Sequence, residues 1–207
     1  MSPGQARGLR MACTLNNEIL TKALIDNCGV GESELEDIMA GFAELDVLRS
    51  LVIRRSVIGT GFLAYLAQTT LKIFPNNLAV LKIERCQISR EATLALVQTL
   101  QEKSYIRTLA LVGVNLDEES IAELCVYLSK KTHVEHLDLS DNRLGPKQFL
   151  PILAALSTAR SLKTLNLSWN LLLEKARAPQ IGTYVKEERI RQYSKEPITF
   201  PPPQAPA

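Results

Sequence analysis

A histidine, a carboxylate and a hydroxyl alternate along one short segment, as His136, Asp138 and Ser140 of HLDLS. A hydrolase relay uses these residue types: the hydroxyl attacks, the imidazole takes its proton, and the acid orients the imidazole. Alternation puts all three on one side of an extended strand. Side chains two apart on a strand lie about 6.5–7 Å from each other, too far for a relay that runs through hydrogen bonds. The pattern predicts a decorated strand, not a nucleophile.

Other reactive types fare no better. His133 precedes that strand without a clustered acid or thiol to share a metal ion. Gly59, Thr60 and Gly61 lack the Lys and Ser/Thr of a phosphate loop and suit a strand-to-helix turn. Cys13, Cys28, Cys86 and Cys125 contain no C-x-x-C pair and read as reduced structural thiols of a reducing compartment. The run Lys186 to Arg191 alternates in sign, as a solvated helix face does. No catalytic, cofactor-binding or metal-ligating residue is expected, so the chain reads as a non-enzyme.

The strand carrying HLDLS is one copy of a repeat. L-x-x-L-x-L-x-x-N-x-L spans Val134 to Leu144 (VEHLDLSDNRL) and recurs from Leu162 to Leu172 (LKTLNLSWNLL). Weaker copies start at Ile106, Leu78, Leu48 and Leu20, so successive starts lie 28, 30, 28, 28 and 28 residues apart. Positions one, four, six and eleven are apolar in every copy. At 46% apolar composition, chance would do this in a fixed register about once in a hundred million. Apolar positions four and six give the period of a strand with one buried face. Position nine, where the chain turns out of the strand, holds Cys28, Ser56, Cys86, Val114, Asn142 and Asn170. A buried Asn or Cys there can bond backbone groups that lack partners. Val114 is the misfit, and a one-residue slip would let Asn115 serve instead.

A helical pattern follows each strand. Leu35, Ile38, Met39, Phe42 and Leu45 have helical spacing, as do Leu94, Val97 and Leu100, and Ile121, Leu124 and Leu128. Ser89 and Asp117 stand as N-caps, the latter with Glu118 and Glu119 in the first turn. Pro146 suits a first turn, whereas Pro151 should bend or shorten its helix. The two extra residues of the second repeat fall around Thr69 to Asn77, in a return loop with Pro75.

The period and the strand–helix alternation, over about Leu20 to Leu173, resemble the ribonuclease-inhibitor-like class of leucine-rich repeat proteins. The resemblance implies an α/β solenoid, a horseshoe of about six repeats with a concave parallel β-sheet and convex helices. Residues 1–19 would form an N-terminal cap, 20–173 the repeats, and 174–207 a C-terminal cap with a proline-rich extended tail. Leu9, Met11, Leu15 and Ile19 are available for the first cap. The tail holds six of the ten prolines, and Tyr184 to Tyr193 could form a short helix capped by Thr183.

Repeat positions two, three, five, seven and eight should line the concave face. Arg49, Arg54, Arg55, Lys82 and Arg85 make it basic in the second and third repeats, against Glu84 alone. Val112 marks a nearly neutral fourth repeat, and Glu135, Asp138 and Asp141 make the fifth acidic. Trp169 ends the last strand, either as an interface anchor or covered by the folded-back tail. Bands of opposite charge would steer a protein partner and set its register.

A net charge of +2 gives no reason to expect nucleic acid, and no apolar stretch is long enough for a membrane span or a secretion signal. The reading is a non-catalytic scaffold for protein partners, working within a hetero-oligomeric complex. Short, mixed-charge intracellular arrays of this class resemble subunits of cytoskeletal and axonemal assemblies, the dynein regulatory complex among them. That implies a cytoplasmic place, in the cytoskeleton or cilium. The alternative within the same repeat class is a regulator of an enzyme, such as a GTPase-activating protein. Arg54 and Arg55 would then be the residues to test.

Overall fold

A computed structural model describes residues 3–15, 18–27, 32–43, 45, 47–59, 78–102, 105–130, 133–171 and 198–199. The return loop at 69–77, Cys28, and the tail apart from residues 198–199 lie outside them. The described helices are α1 (Pro3–Leu15), α2 (Glu32–Ala43), α3 (Arg90–Glu102), α4 (Glu118–Ser129) and α5 (Pro146–Leu156). The strands are β1 (Lys22–Asp26), β2 (Ser50–Arg54), β3 (Val57–Ile58), β4 (Val80–Glu84), β5 (Gln87–Ile88), β6 (Thr108–Val112), β7 (His136–Asp138), β8 (Thr164–Asn166) and β9 (Ile198–Thr199).

Strands β1, β2, β4, β6, β7 and β8 lie side by side in that order, all parallel. Their register follows the repeat: Ala23, Leu51, Leu81, Leu109, Leu137 and Leu165 are successive partners across the sheet. Leu51, Leu81, Leu109, Leu137 and Leu165 are each at most 1% exposed. Burial of one such side chain contributes about 1.5–3 kcal/mol. The neighbouring row at position six, Ile25, Ile53, Ile83, Leu111, Leu139 and Leu167, is buried as well. Strands β3 and β5 make a second, two-stranded parallel sheet.

The helices cover the buried face and share one core with it. In α2 the stripe is Ile38, Met39 and Phe42, followed by Leu45 just beyond the helix; in α4 it is Ile121, Leu124, Tyr127 and Leu128. In α3 the buried stripe is Ala92, Leu96, Val97 and Leu100, and Leu94 is only half-buried. Asp117 caps α4 by accepting from Ser120 N at 2.8 Å, and Ser89 accepts from Ala92 N at 3.2 Å. Pro146 occupies the first turn of α5. Pro151 does not end that helix, which runs on to Leu156 and buries Phe149, Ile152 and Ala155.

At the first end, α1 packs against α2 through a close approach at Gly41, where a Cβ would lie 2.8 Å from Arg10 Cα. Ala6 and Cys13 are buried there and Leu9 is partly so. Met11 and Leu15 are instead 68% and 80% exposed, because the helix turns them away from the core, and Ile19, in the turn beyond it, is 71% exposed. At the other end, β9 pairs antiparallel with β8, Leu165 opposite Ile198. The chain thereby covers the edge of its own sheet, where unpaired backbone groups would otherwise stand open.

The turn after each strand explains positions eight and nine. Asn27, Arg55, Arg85, Gly113, Asp141 and Trp169 all occupy position eight, and all have positive φ, from 48° to 61°. The left-handed turn lifts the backbone out of the sheet. Among the described residues at position nine, Cys86, Val114 and Asn142 are buried and Ser56 and Asn170 half-buried. Asn142 donates to the carbonyls of Leu111 (2.5 Å), Leu139 (3.1 Å) and Ser140 (3.2 Å), and accepts from Val114 N at 2.9 Å. Asn170 repeats this one rung on, donating to Leu139 O at 2.9 Å and accepting from Asn142 N at 3.1 Å. Cys86 makes weaker contacts, its thiol 3.6 Å from the carbonyls of Ile53 and Glu84. Val114 holds its rung without a slip: it is 2% exposed, while Asn115 is exposed at φ 55°. The unbroken pairing of β4, β6 and β7 forces that register, so Asn115 is not the substitute.

Candidate functional site

The sheet face turned away from the helices carries the expected site residues, and no described element lies over it. Ser50, Val52 and Arg54 of β2, Val80, Lys82 and Glu84 of β4, and Thr108 and Val112 of β6 are half-buried there. Arg49, Arg55, Arg85 and Trp169 are exposed at the strand ends. Trp169 is 74% exposed; apart from residues 198–199, the tail expected to cover it lies outside the described residues.

Register brings the charge bands together. Adjacent strands lie about 4.8 Å apart, and opposite charges one rung apart therefore meet. Arg54 pairs with Glu84 at 2.6 Å and Arg55 with Asp26 at 2.8 Å. Arg85 reaches across two rungs to Asp141 at 3.4 Å. Glu135 takes Arg107 at 3.2 Å and Lys163 at 2.6 Å. The hydrogen bond from Arg55 holds the Asp26 carboxyl below its ordinary range, and that from Lys163 does the same for Glu135. Arg85 and Asp141 join the basic band to the acidic one, while Arg54, Arg55 and Glu135 find partners outside the opposite band. Of the charged residues in these bands, Arg49, Lys82 and Asp138 have no ion pair among the described residues.

The strand with the hydrolase residue types shows a local turn. Asp138 Oδ1 accepts from Ser140 Oγ at 2.6 Å and from Ser140 N at 3.0 Å. This is closer than strand spacing allows, because β7 ends at Asp138 and the chain bends there. The pattern recurs one rung on, where Asn166 Oδ1 accepts from Ser168 Oγ at 2.6 Å and Ser168 N at 3.1 Å. An amide does the same work as the carboxylate, so the contact is a turn device. His136 bonds elsewhere, to Thr164 Oγ1 at 2.8 Å on β8. No histidine stands against Ser140 in a relay.

Cys13, Cys86 and Cys125 are free thiols, and burial pushes all three above the ordinary thiol range. Such thiols are protonated and poorly nucleophilic. Among the described residues no three His, Cys, Asp or Glu side chains gather as metal ligands would. No described helix is long and apolar enough to cross a membrane.

Sequence reasoning missed a second feature of this region. A cleft of about 360 Å³ opens where the strands end, lined by Arg85, Gly113, Asn115, Asp141, Asn142 and Arg143. The available signal was the residue type at position eight: Asn27, Gly113 and Asp141 are the kinds that tolerate a left-handed turn.

Residues 130–147 match a family model described as a leucine-rich repeat. The matched segment contains β7, the Asn142 ladder residue and the start of α5. It supports reading the chain as a leucine-rich-repeat protein, and such motifs generally mediate protein–protein interaction. A search of curated proteins found no match to the sequence.

Proposed function

We propose that the chain is a non-catalytic scaffold, a leucine-rich-repeat solenoid of about six repeats that holds protein partners on its concave sheet. In this reading it works inside the cell as a subunit of a cytoskeletal or axonemal assembly. One observation carries the reading: the face of six parallel strands turned from the core mixes half-buried charges such as Arg54, Lys82 and Glu84 with apolar Leu24, Val52, Val80 and Val112, of which Leu24 is 61% exposed. Cross-rung pairs alternate charge across that face, a pattern that a partner of matching charge can read. Regulation of a GTPase fits less well. Arg54 and Arg55, its best candidates, each stand beside an acid, Glu84 and Asp26, that offsets the positive charge such a role would use.

Affinity purification of the full chain at native expression tests the reading. Co-elution of the same protein chains through successive washes is the expected result. Recovery of the chain alone, or accelerated GTP turnover by a co-eluting GTPase, would contradict it.

A further inference from the structure

Position eight has a side chain on the rungs either side of Gly113 and none at Gly113 itself. Arg85 and Asp141 lean together over that gap, Nε to Oδ2 at 3.4 Å. A Cβ on Gly113 would stand 3.3 Å from Arg85 Cγ and 3.4 Å from Asp141 Oδ2. Arg85 and Asp141 take the space the missing side chain leaves, and beside them, with Gly113 in its wall, lies the cleft of about 360 Å³, a size within the range of known ligand clefts. Asn142 forms its floor, with its amide committed to the backbone ladder. Arg143 and Asn115 stand at its rim, both exposed and both left-handed at φ 56° and 55°. Among the described residues, nothing pairs with the Arg143 guanidinium.

We infer that this cleft takes an aspartate or glutamate side chain from an acidic segment of a protein partner. The inference rests on the protein-binding reading above. Arg143 offers an open planar fork that matches a carboxylate in two parallel hydrogen bonds. Arg85 is 70% exposed in its pair with Asp141, and so exposed a pair holds its members weakly. It can turn to the incoming carboxylate at little cost, and Asn115 adds an amide donor. Asp141 opposes the same charge. Two guanidinium groups against one carboxylate still favour an anion, and removal of Asp141 should favour it further.

The test uses the full chain, isotopically labelled, titrated with a capped hexaglutamate peptide and followed by amide chemical shifts. Shifts at Gly113, Asn115 and Arg143 are expected, and capped hexaglutamine should produce none. Arg143→Ala should weaken the titration about three- to fivefold, and Asp141→Asn should strengthen it by a similar factor. Gly113→Asn, a residue that tolerates the left-handed turn, should fill the cleft and abolish the shifts. Thermal melts of each variant separate loss of fold from loss of binding. Shifts spread over all basic residues and unaltered by Arg143→Ala would overturn the inference. So would a weaker titration with Asp141→Asn, or full displacement by millimolar inorganic phosphate. If hexaglutamate fails while wild-type and Arg143→Ala chains both retain their co-purifying partners, the cleft assignment falls and the scaffold reading stands.

Discussion

Asn142→Val tests the physics of the ladder that fixes the turn geometry. Asn142 serves four backbone groups, and two of them keep another partner after the substitution. Leu139 O retains Asn170 Nδ2 at 2.9 Å, and Ser140 O retains Gly113 N at 3.1 Å. Val114 N loses its acceptor, and Leu111 O loses its 2.5 Å donor. Both groups lie where water does not reach: Asn142 is 3% exposed, Val114 2% and Leu111 0%. Leaving a buried group unsatisfied costs about 1–3 kcal/mol, so the two together should cost about 2–6 kcal/mol. For a domain of this size that lowers Tm by about 4–24 °C. Urea and thermal unfolding followed by circular dichroism would measure it. A loss below about 1 kcal/mol would refute the ladder argument. It would mean that aliphatic packing, as at Val114, suffices on this rung too.

Other expectations follow from the same geometry. Leu137→Asp puts an unpaired charge at a side chain 1% exposed, and should abolish cooperative unfolding of the rungs around β7; an unchanged melt would show that the row is not a shared core. Glu135 has a depressed carboxyl, so its pairing with Lys163 is complete above the ordinary carboxylate range. The contribution is lost as pH falls through the lowered value. The Tm difference between wild type and Glu135→Gln should therefore shrink toward zero in acid, and a difference constant with pH would contradict the pairing.

How much was legible in the sequence varies with the kind of interaction. The apolar rows were readable because stacked rungs demand the same residue type at the same position, as Leu81, Leu109, Leu137 and Leu165 show. The caps at Ser89 and Asp117 were readable because capping is local. The ion pairs were recoverable in principle, since Arg107 and Glu135 share position two on adjacent rungs. Reading the charges as bands along the chain concealed those partnerships across it. Arg85 reaching past Gly113 to Asp141 was not legible, because it depends on a side chain that is absent. Nor was β9, a two-residue strand whose partner lies far back in the chain. Strand spacing was the reason read from the sequence against a relay through His136, Asp138 and Ser140. Strand spacing fails between Asp138 and Ser140, where the strand has already ended, and His136 is withdrawn by Thr164.

Binding of a co-purified partner to two matched variants tests the central claim most directly. Lys82→Glu alters an unpaired charge on the open face of β4, and Val126→Glu alters an exposed position on α4. The account expects Lys82→Glu to weaken the complex severalfold with little change in Tm, and Val126→Glu to leave affinity unchanged. Loss of binding with Val126→Glu and not with Lys82→Glu would put the partner on the helices, and the account would be wrong.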